Sequence, residues 1–150
     1  MDYTHLKEIH RFIFEDVYTW AGKDRYESGV VAVFAKGATL FTAYEKLPVV
    51  SKGLFEALKN EAFFQGTSME LFAKNAAIFM NGLNILHPFR EGNGRVQRVF
   101  MEYVAQRAGY RLSFHKISAQ EMIQASIEGA KGQTMRMEKI FKVSTHKILT

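Results

Sequence analysis

The amino-acid sequence predicts a mainly α-helical domain that carries one small β-hairpin. Several segments repeat apolar residues at spacings of three and four, as helices with one buried face do. A single stretch, residues 30–41, breaks this period with a β-branched and aromatic run that a glycine interrupts. The chain has only two prolines and no Gly/Ser-rich linker, so we expect residues 1–150 to form a single domain.

Apolar stripes predict the course of the helices. The first stripe runs from Leu6 to Val17 and ends near Trp20–Gly22. Pro48 is tolerated only in a first helical turn, which places the start of the second helix near Leu47. The predicted helices after the first are about 47–60, 69–86, roughly 94–108, a helix after Ser118 with Met122, Ile123 and Ile127 on its apolar stripe, and about 134–147.

Capping residues support three of these helix ends. Thr67 with Glu70 and Ser118 with Glu121 have the spacing of capping boxes, in which a hydroxyl accepts from a backbone amide of the first turn. Gly109 lies where a left-handed residue commonly closes a helix. These signals predict starts just after residues 67 and 118 and an end just before 109.

The predicted hairpin consists of two β runs, Val30–Phe34 and Thr39–Phe41. Residues 35–38 join them and include Gly37, which favours a tight connection. We therefore expect a short antiparallel pair between the first and second helices.

Composition restricts the class of function. There are no cysteines, which excludes disulfides and thiolate zinc sites and suits a cytoplasmic location. No stretch reaches eighteen apolar residues, so we expect no membrane span. The formal charge is +5, but the basic residues are scattered in runs of two at most. This pattern argues against nucleic acid and for a small ligand that carries phosphate.

The stretch HPFREGNGRVQR, residues 87–98, has the composition of an anion-binding site. It lies between two predicted helices, and Pro88 breaks the first of them. Residues 92–94, Gly-Asn-Gly, lead into the second helix, where free backbone amides attract an anion. Arg95 and Arg98 are three residues apart and so lie on one side of that helix.

The same stretch offers groups for proton transfer and for metal binding. His87 has an ordinary pKa near neutrality and could accept a proton from an attacking hydroxyl. Glu91 could hold Mg²⁺ against phosphate oxygens, because Mg²⁺ binds one or two carboxylates together with substrate phosphates. Phe89 is predicted to be a core anchor for the loop.

Other site types do not fit the sequence. GxxxxGK[ST] is absent, and the preceding segment is helical rather than the strand of a dinucleotide fold. His5 and His10 are five residues apart, which separates them by about 140° around a helix and excludes a zinc pair of the HExxH kind.

Residues 87–98 match every fixed position of the Fic signature, H-x-F-x-[DE]-G-N-G-R-x-x-R, so the chain resembles the Fic family. Similarity extends to Tyr18–Lys23, which looks like the end of the family's first helix. Lys36–Phe41 looks like its flap hairpin, and residues 108–110 and 118–121 resemble the stretch after the motif helix. The resemblance covers nearly the whole chain.

The resemblance implies a helical fold with the signature between two central helices and a β-hairpin flap over the active site. It implies transfer of AMP from ATP to a hydroxyl of a target protein, with release of pyrophosphate. His87 would be the base, and Glu91 would hold Mg²⁺ on the phosphates. The nucleotide-binding residues would be Lys36 and Gly37 of the flap, Gly92, Asn93 and Gly94 of the anion hole, and Arg95 and Arg98 at the β- and γ-phosphates.

Two positions distinguish branches of this family. The similar Doc toxins, which phosphorylate their targets, carry Lys where this chain has Gly94 and lack a counterpart of Arg98. AMP transfer is therefore favoured over kinase activity. UMP, GMP or phosphocholine as the transferred group stays open, as does a catalytically idle adaptor, although intact His87 and Glu91 argue against the adaptor.

The resemblance also implies partners. A target protein would pair with the hairpin around residues 30–41. Many family members are inhibited by a helix with the motif [ST]-x-x-x-E-[GN], and the two nearest matches here, at Glu128 and Glu138, are incomplete and lie in predicted core helices. Inhibition by an antitoxin-like partner is therefore expected rather than inhibition from within. A toxin-like or secreted-effector role is compatible with these features.

Overall fold

Six α-helices and two small antiparallel sheets make up residues 1–149, the part of the chain that the computed structural model describes. The helices are α1 (Tyr3–Phe14), α2 (Leu47–Asn60), α3 (Met69–Leu86), α4 (Asn93–Arg107), α5 (Ala119–Ala130) and α6 (Met135–Ser144). Strand β1 (Ala35–Lys36) pairs with β2 (Thr39–Leu40), and β3 (Tyr110–Leu112) pairs with β4 (Thr145–Lys147). The predicted fold class is confirmed. None of these helices has both the length and the apolar content that crossing a bilayer requires.

Helix α3 is the centre of the packing and contacts α2, α4, α5 and α6. Its buried positions are Phe72, Ala73, Ala76, Ala77, Phe79, Met80, Leu83 and Leu86. The alanines among them let neighbouring helices approach closely, because interhelical distance depends on the side chains at the contact. Leu83 and Leu86 are fully buried, which fixes the end of α3, where residues 87–98 begin.

Helix α1 ends earlier than predicted. Its last residue is Phe14, and Val17, which the apolar stripe placed on the buried face, is 66% exposed. The chain then turns back on the helix, so that Gly22 in the left-handed region (φ 81°) lies against the Arg11 side chain. This tertiary contact overrides the helical period, because a helix continuing to Trp20 could not reach that position.

The other helix boundaries agree with the sequence with two exceptions. Helix α2 has the predicted bounds, and Ser118 caps α5 by accepting from the amide of Glu121 at 3.1 Å. The cap of α3 is Ser68 rather than Thr67, whose hydroxyl instead donates to the Phe64 carbonyl. Helix α6 stops at Ser144, since the next three residues form β4 against β3. A pairing over this separation leaves no local signal.

The hairpin is shorter than predicted, and its first strand lies in the predicted connection, residues 35–38, rather than in the predicted run Val30–Phe34, which was wrong. Its strands are Ala35–Lys36 and Thr39–Leu40, and Gly37 in the turn has a positive φ of 60°. The run from Val30 to Val33 is irregular, because its side chains find no core and Val31 and Val33 are 70% and 82% exposed.

Candidate active site

The loop between α3 and α4, residues 87–92, is the motif loop and contains two left-handed residues. His87 follows the last residue of α3 with φ 45° and ψ 62°, a conformation that is unfavourable for any residue but glycine. Gly92 has φ 84°, and a side chain there would collide with the Phe14 ring of α1. The motif loop therefore turns sharply twice and passes directly over α1.

The Asn93 side chain closes the motif loop from inside. Its Oδ1 accepts from the backbone amide of Phe89 at 2.9 Å, and its Nδ2 donates to the Phe89 carbonyl at 2.6 Å. Since a backbone amide is always a donor, this pair fixes the orientation of the Asn93 amide. The second Nδ2 hydrogen then points to Nε2 of His87, 3.1 Å away. Phe89 is 1% exposed, which confirms it as a core anchor.

This network determines the protonation state of His87. Because Asn93 Nδ2 donates, His87 Nε2 must accept, so this nitrogen carries a lone pair and no proton. Burial, followed by the positive charges of Arg25 and Lys36, lowers the pKa of His87 to about 4. The expectation that His87 titrates near neutrality is therefore wrong. The imidazole is neutral above that pH, which is the form that a general base requires.

The hairpin covers the His87 ring. Phe41 stacks on the imidazole with ring centres 3.7 Å apart and planes 6° from parallel, and Phe34 lies 5.4 Å away. Lys36 of β1 contributes the positive charge named above. The predicted arrangement of a flap over the site is thus present.

A cavity of about 630 Å³ lies between the motif loop, the first turn of α4, α1 and the hairpin. All but one of the predicted site residues line it: Lys36, His87, Glu91, Gly92, Asn93, Gly94, Arg95 and Arg98. Gly37 lies on a second, neighbouring cavity. A side-chain carbon at Gly94 would stand 3.2 Å from Nη1 of Arg98, so glycine leaves space for this guanidinium.

The cavity is electropositive. Arg95 lies over the Phe14 ring at 5.6 Å, and Arg90 lies over Trp20 at 5.1 Å, so aromatic faces rather than carboxylates hold both guanidiniums. In residues 1–149, neither Arg95 nor Arg98 takes part in a salt bridge. Two unpaired guanidiniums beside the first turn of a helix form a site for phosphate oxygens.

Glu91 supplies the single carboxylate on the lining of this cavity, and its side chain is exposed. Among residues 1–149, no cluster of three His, Asp or Glu side chains could hold a metal ion by itself. One carboxylate fits Mg²⁺ that arrives with a nucleotide, since this ion takes most of its ligands from phosphates and water.

His10 positions Glu91 and is a residue that the sequence did not identify. It is fully buried in α1 and stacks on Phe89 at 4.1 Å. Its Nδ1 accepts from the Gly22 amide at 3.0 Å, so the protonated Nε2 donates to the Glu91 carbonyl, also at 3.0 Å. Burial lowers the pKa of His10 and keeps it neutral. The sequence could have indicated that His10 is buried, because it lies on the apolar face of α1 beside Leu6 and Ile9.

The second cavity, of about 300 Å³, opens beside Gly94 and Arg98 and is mostly apolar. Met122, Ile123 and Ile127 of α5 line it, so these residues of the predicted stripe form a pocket wall rather than core. Ser126 donates to the Met122 carbonyl and must therefore accept from Asn84 Nδ2 at 3.2 Å. Within the part of the chain that the structure describes, the Asn84 carbonyl oxygen and its second amide hydrogen form no hydrogen bond at this wall.

Comparison with known proteins gives a consistent result. The model of the Fic/DOC family matches residues 1–105. The protein adenylyltransferase VbhT of Bartonella schoenbuchensis is 36% identical over 141 residues, which are 94% of this chain and 28% of VbhT. “Probable protein adenylyltransferase Fic” of Escherichia coli (strain K12) is 34% identical over 91% of this chain and 66% of that protein. The chain thus spans only part of these relatives.

Solved structures share the fold over nearly the whole chain. The BepC effector of Bartonella tribocorum with bound AMPPNP superposes with a TM-score of 0.88 at 29% identity, over 99% of this chain and 76% of that one. The N-terminal Fic domain of a VirB-translocated Bep effector of Bartonella quintana with bound ADP gives 0.91 at 35% identity, over 97% and 73%.

Proposed function

Because the chain belongs to the Fic/DOC family, we propose that it is a protein adenylyltransferase, which transfers AMP from ATP to a hydroxyl side chain of a target protein. The observation that carries this proposal is the neutral His87 imidazole at the rim of a cavity that also holds Arg95 and Arg98. Relatives named as adenylyltransferases and a similar domain with bound AMPPNP support the choice of nucleotide.

His87 would act as the general base. Its Nε2 lone pair, released from Asn93, takes the proton of the target hydroxyl while the hydroxyl oxygen bonds to the α-phosphorus. The bond from the α-phosphorus to the bridging oxygen breaks, and pyrophosphate leaves with both electrons. Such transfers depend mainly on positioning and on neutralisation of phosphate charge.

The phosphates would lie in the larger cavity. Amides of the first turn of α4, at Gly92–Gly94, face one side, and Arg95 and Arg98 would grip the β- and γ-phosphates. Lys36 and Gly37 would contribute from the hairpin. Glu91 would hold Mg²⁺ on the α- and β-phosphates, which neutralises the charge that develops as pyrophosphate leaves.

The base would enter the smaller cavity, whose apolar wall suits a purine. The free carbonyl oxygen and amide hydrogen of Asn84 match the amino group and N7 of adenine, the pairing that asparagine makes with this base in nucleic acids. Guanine presents a carbonyl oxygen in place of the amino group and would leave the Asn84 oxygen unpaired.

The target would dock on the hairpin. Strand β1 pairs on one side with β2, and residues 31–33 beside it are exposed and irregular. An extended target loop could add to this edge through backbone hydrogen bonds. We propose a cytoplasmic location for the reaction, and the similarity to VirB-translocated effectors is compatible with a secreted-effector role.

An inhibitor of this site would come from outside residues 1–150. Glu128 accepts from Arg136 and Gln124, and the nearest cation to Glu138 is Lys142 at 3.7 Å. Both carboxylates are therefore engaged within or between α5 and α6. This arrangement supports the proposal of a toxin-like activity that an antitoxin-like partner controls.

The decisive experiment is incubation with Mg²⁺ and ATP labelled at the α-phosphate, with α-labelled GTP, CTP and UTP in parallel. We expect label on protein from ATP, and loss of about 10²- to 10⁴-fold in the His87→Ala variant. ATP labelled at the γ-phosphate is the control for kinase activity. No label from any nucleotide, on the protein or on a lysate, would identify an idle adaptor and overturn the proposal.

A further inference from the structure

Arg25, in the connection between α1 and the hairpin, is a fully buried arginine that forms no salt bridge with any carboxylate of residues 1–149. Its side chain donates instead to three backbone carbonyls. Nε donates to His87 at 2.7 Å, and Nη2 donates to Thr42 at 2.8 Å and to Leu86 at 3.1 Å. Burial lowers the pKa of Arg25. Burying a charge is costly unless hydrogen bonds compensate it. The role of Arg25 should therefore be sought in the backbone segments whose carbonyls it binds.

Two of the carbonyls belong to the C-terminal end of α3. The last carbonyls of a helix lack partners within the helix and are usually satisfied after a left-handed glycine. Here His87 occupies that left-handed position, which is strained for a residue with a side chain. The backbone amide of Arg25 adds a hydrogen bond to the Pro88 carbonyl at 2.7 Å. Arg25 thus binds the backbone on both sides of the strained residue.

The third carbonyl belongs to the segment that follows β2. Thr42 also bonds through its own amide to the Ile85 carbonyl at 3.0 Å, and Phe41, its neighbour, stacks on His87. At the other end of the hairpin, Phe34 immediately precedes β1, and its ring lies 5.0 Å from the Arg25 guanidinium. One side chain therefore connects the backbone of His87 with both ends of the hairpin.

We propose that Arg25 is a positioning residue of the transfer reaction, which holds the His87 backbone in its left-handed conformation and so keeps the imidazole beneath the hairpin and against Asn93. Arg25 lines neither cavity, so its role would be exerted through His87 rather than through direct contact with the proposed nucleotide. The catalytic part of this inference rests on the proposed function, whereas the conformational part does not.

The conformational part is tested by the stability of four variants. In the protein with Arg25, His87→Gly should have a higher Tm than His87→Ala by about 2 to 4 °C, because glycine adopts the left-handed region without strain. In the Arg25→Lys background, where the three-way contact cannot form, the His87 backbone relaxes and the gap should fall below about 1 °C. A gap of the same size in both backgrounds would overturn the proposal.

The catalytic part is tested with the transfer assay in the presence of native His87. Arg25→Lys should lower kcat by roughly 10- to 100-fold, since a misplaced base costs this much. KM for ATP should change less than about twofold, because the substitution leaves the proposed phosphate-binding residues, Arg95 and Arg98, unchanged. An equal loss through KM would contradict a role in positioning His87. Arg136→Lys, the same replacement at an exposed arginine, is the matched control and should leave Tm, kcat and KM unchanged.

Arg25→Gln serves as a second variant if Arg25→Lys does not fold. If neither variant unfolds cooperatively, Arg25 is required by the fold as a whole and the assignment to catalysis is rejected. If the wild-type protein transfers no label, the proposed function fails, while the two Tm gaps still decide whether Arg25 holds His87.

Discussion

Acidification from pH 7.5 to pH 5 should leave His87 neutral, although an ordinary histidine would be protonated. With a pKa of about 4, roughly nine-tenths of the imidazole is neutral at pH 5, against about 3% for a pKa of 6.5. Burial is the main cause, and the positive charges of Arg25 and Lys36 follow. The neutral form of His87, which the proposed reaction requires, should therefore persist through the range in which histidine catalysts commonly lose activity.

The measurement is an NMR titration of the imidazole carbon-bound protons. The chain has five histidines, and the signal missing in His87→Ala identifies the one of interest. Lys36→Gln should raise the pKa of His87, but not to its ordinary value, because burial remains. High salt should have a similarly small effect, since screening acts on exposed charges and not on desolvation.

A His87 pKa between 6 and 7 in the free protein would refute this reasoning, since it would mean that the ring is hydrated rather than covered by Phe41. A fall of kcat/KM below pH 6.5 that follows the His87 signal would have the same meaning, because kcat/KM reports groups of the free enzyme. A fall that does not follow this signal would point to another titrating group.

Three further outcomes are expected. If the Arg98 guanidinium binds the γ-phosphate, Arg98→Ala should lower the affinity for ATP by about 10- to 100-fold in calorimetric titrations. The affinity for ADP should fall less. Asn84→Leu should reduce the preference for ATP over GTP by roughly 5- to 100-fold in the transfer assay. The free energy of unfolding should fall as the pH drops from about 6.5 towards 4, because His87 and His10 bind protons in the unfolded chain but stay neutral when buried in the folded one. Denaturant titrations at several pH values should show a weaker pH dependence for His87→Ala than for the wild-type protein.

The sequence predicted most of the helices because their signals are local. Helix α2 has the predicted bounds from Leu47 to Asn60, and Ser118 caps α5 as expected. What it missed depends on contacts between distant segments. The premature end of α1 follows from the packing of Gly22 on Arg11, and β4 forms because Tyr110–Leu112 offers an edge to it.

The site likewise combines features with local sequence signals and features that depend on contacts between distant segments. His87, Glu91 and the two arginines of α4 lie within twelve consecutive residues, so their proximity could be read from spacing alone. The protonation state of His87 could not be predicted from the spacing, because it depends on burial beneath a hairpin about fifty residues away in the chain. The sequence also did not predict that α5 lines the second cavity, because Ile123 and Ile127 have the spacing of ordinary core residues.

The motif loop has few hydrogen bonds of its own that could hold two left-handed residues. Its carbonyls are bound from outside, Glu91 by His10 of α1 and His87 by Arg25. Asn93 supplies the contacts from within. The signature residues therefore provide the reacting groups, while α1 and the segment after it provide their geometry. Transplanting residues 87–98 between two other helices would carry over the groups without the conformation, and such a chimera should bind phosphate but leave a target hydroxyl unactivated.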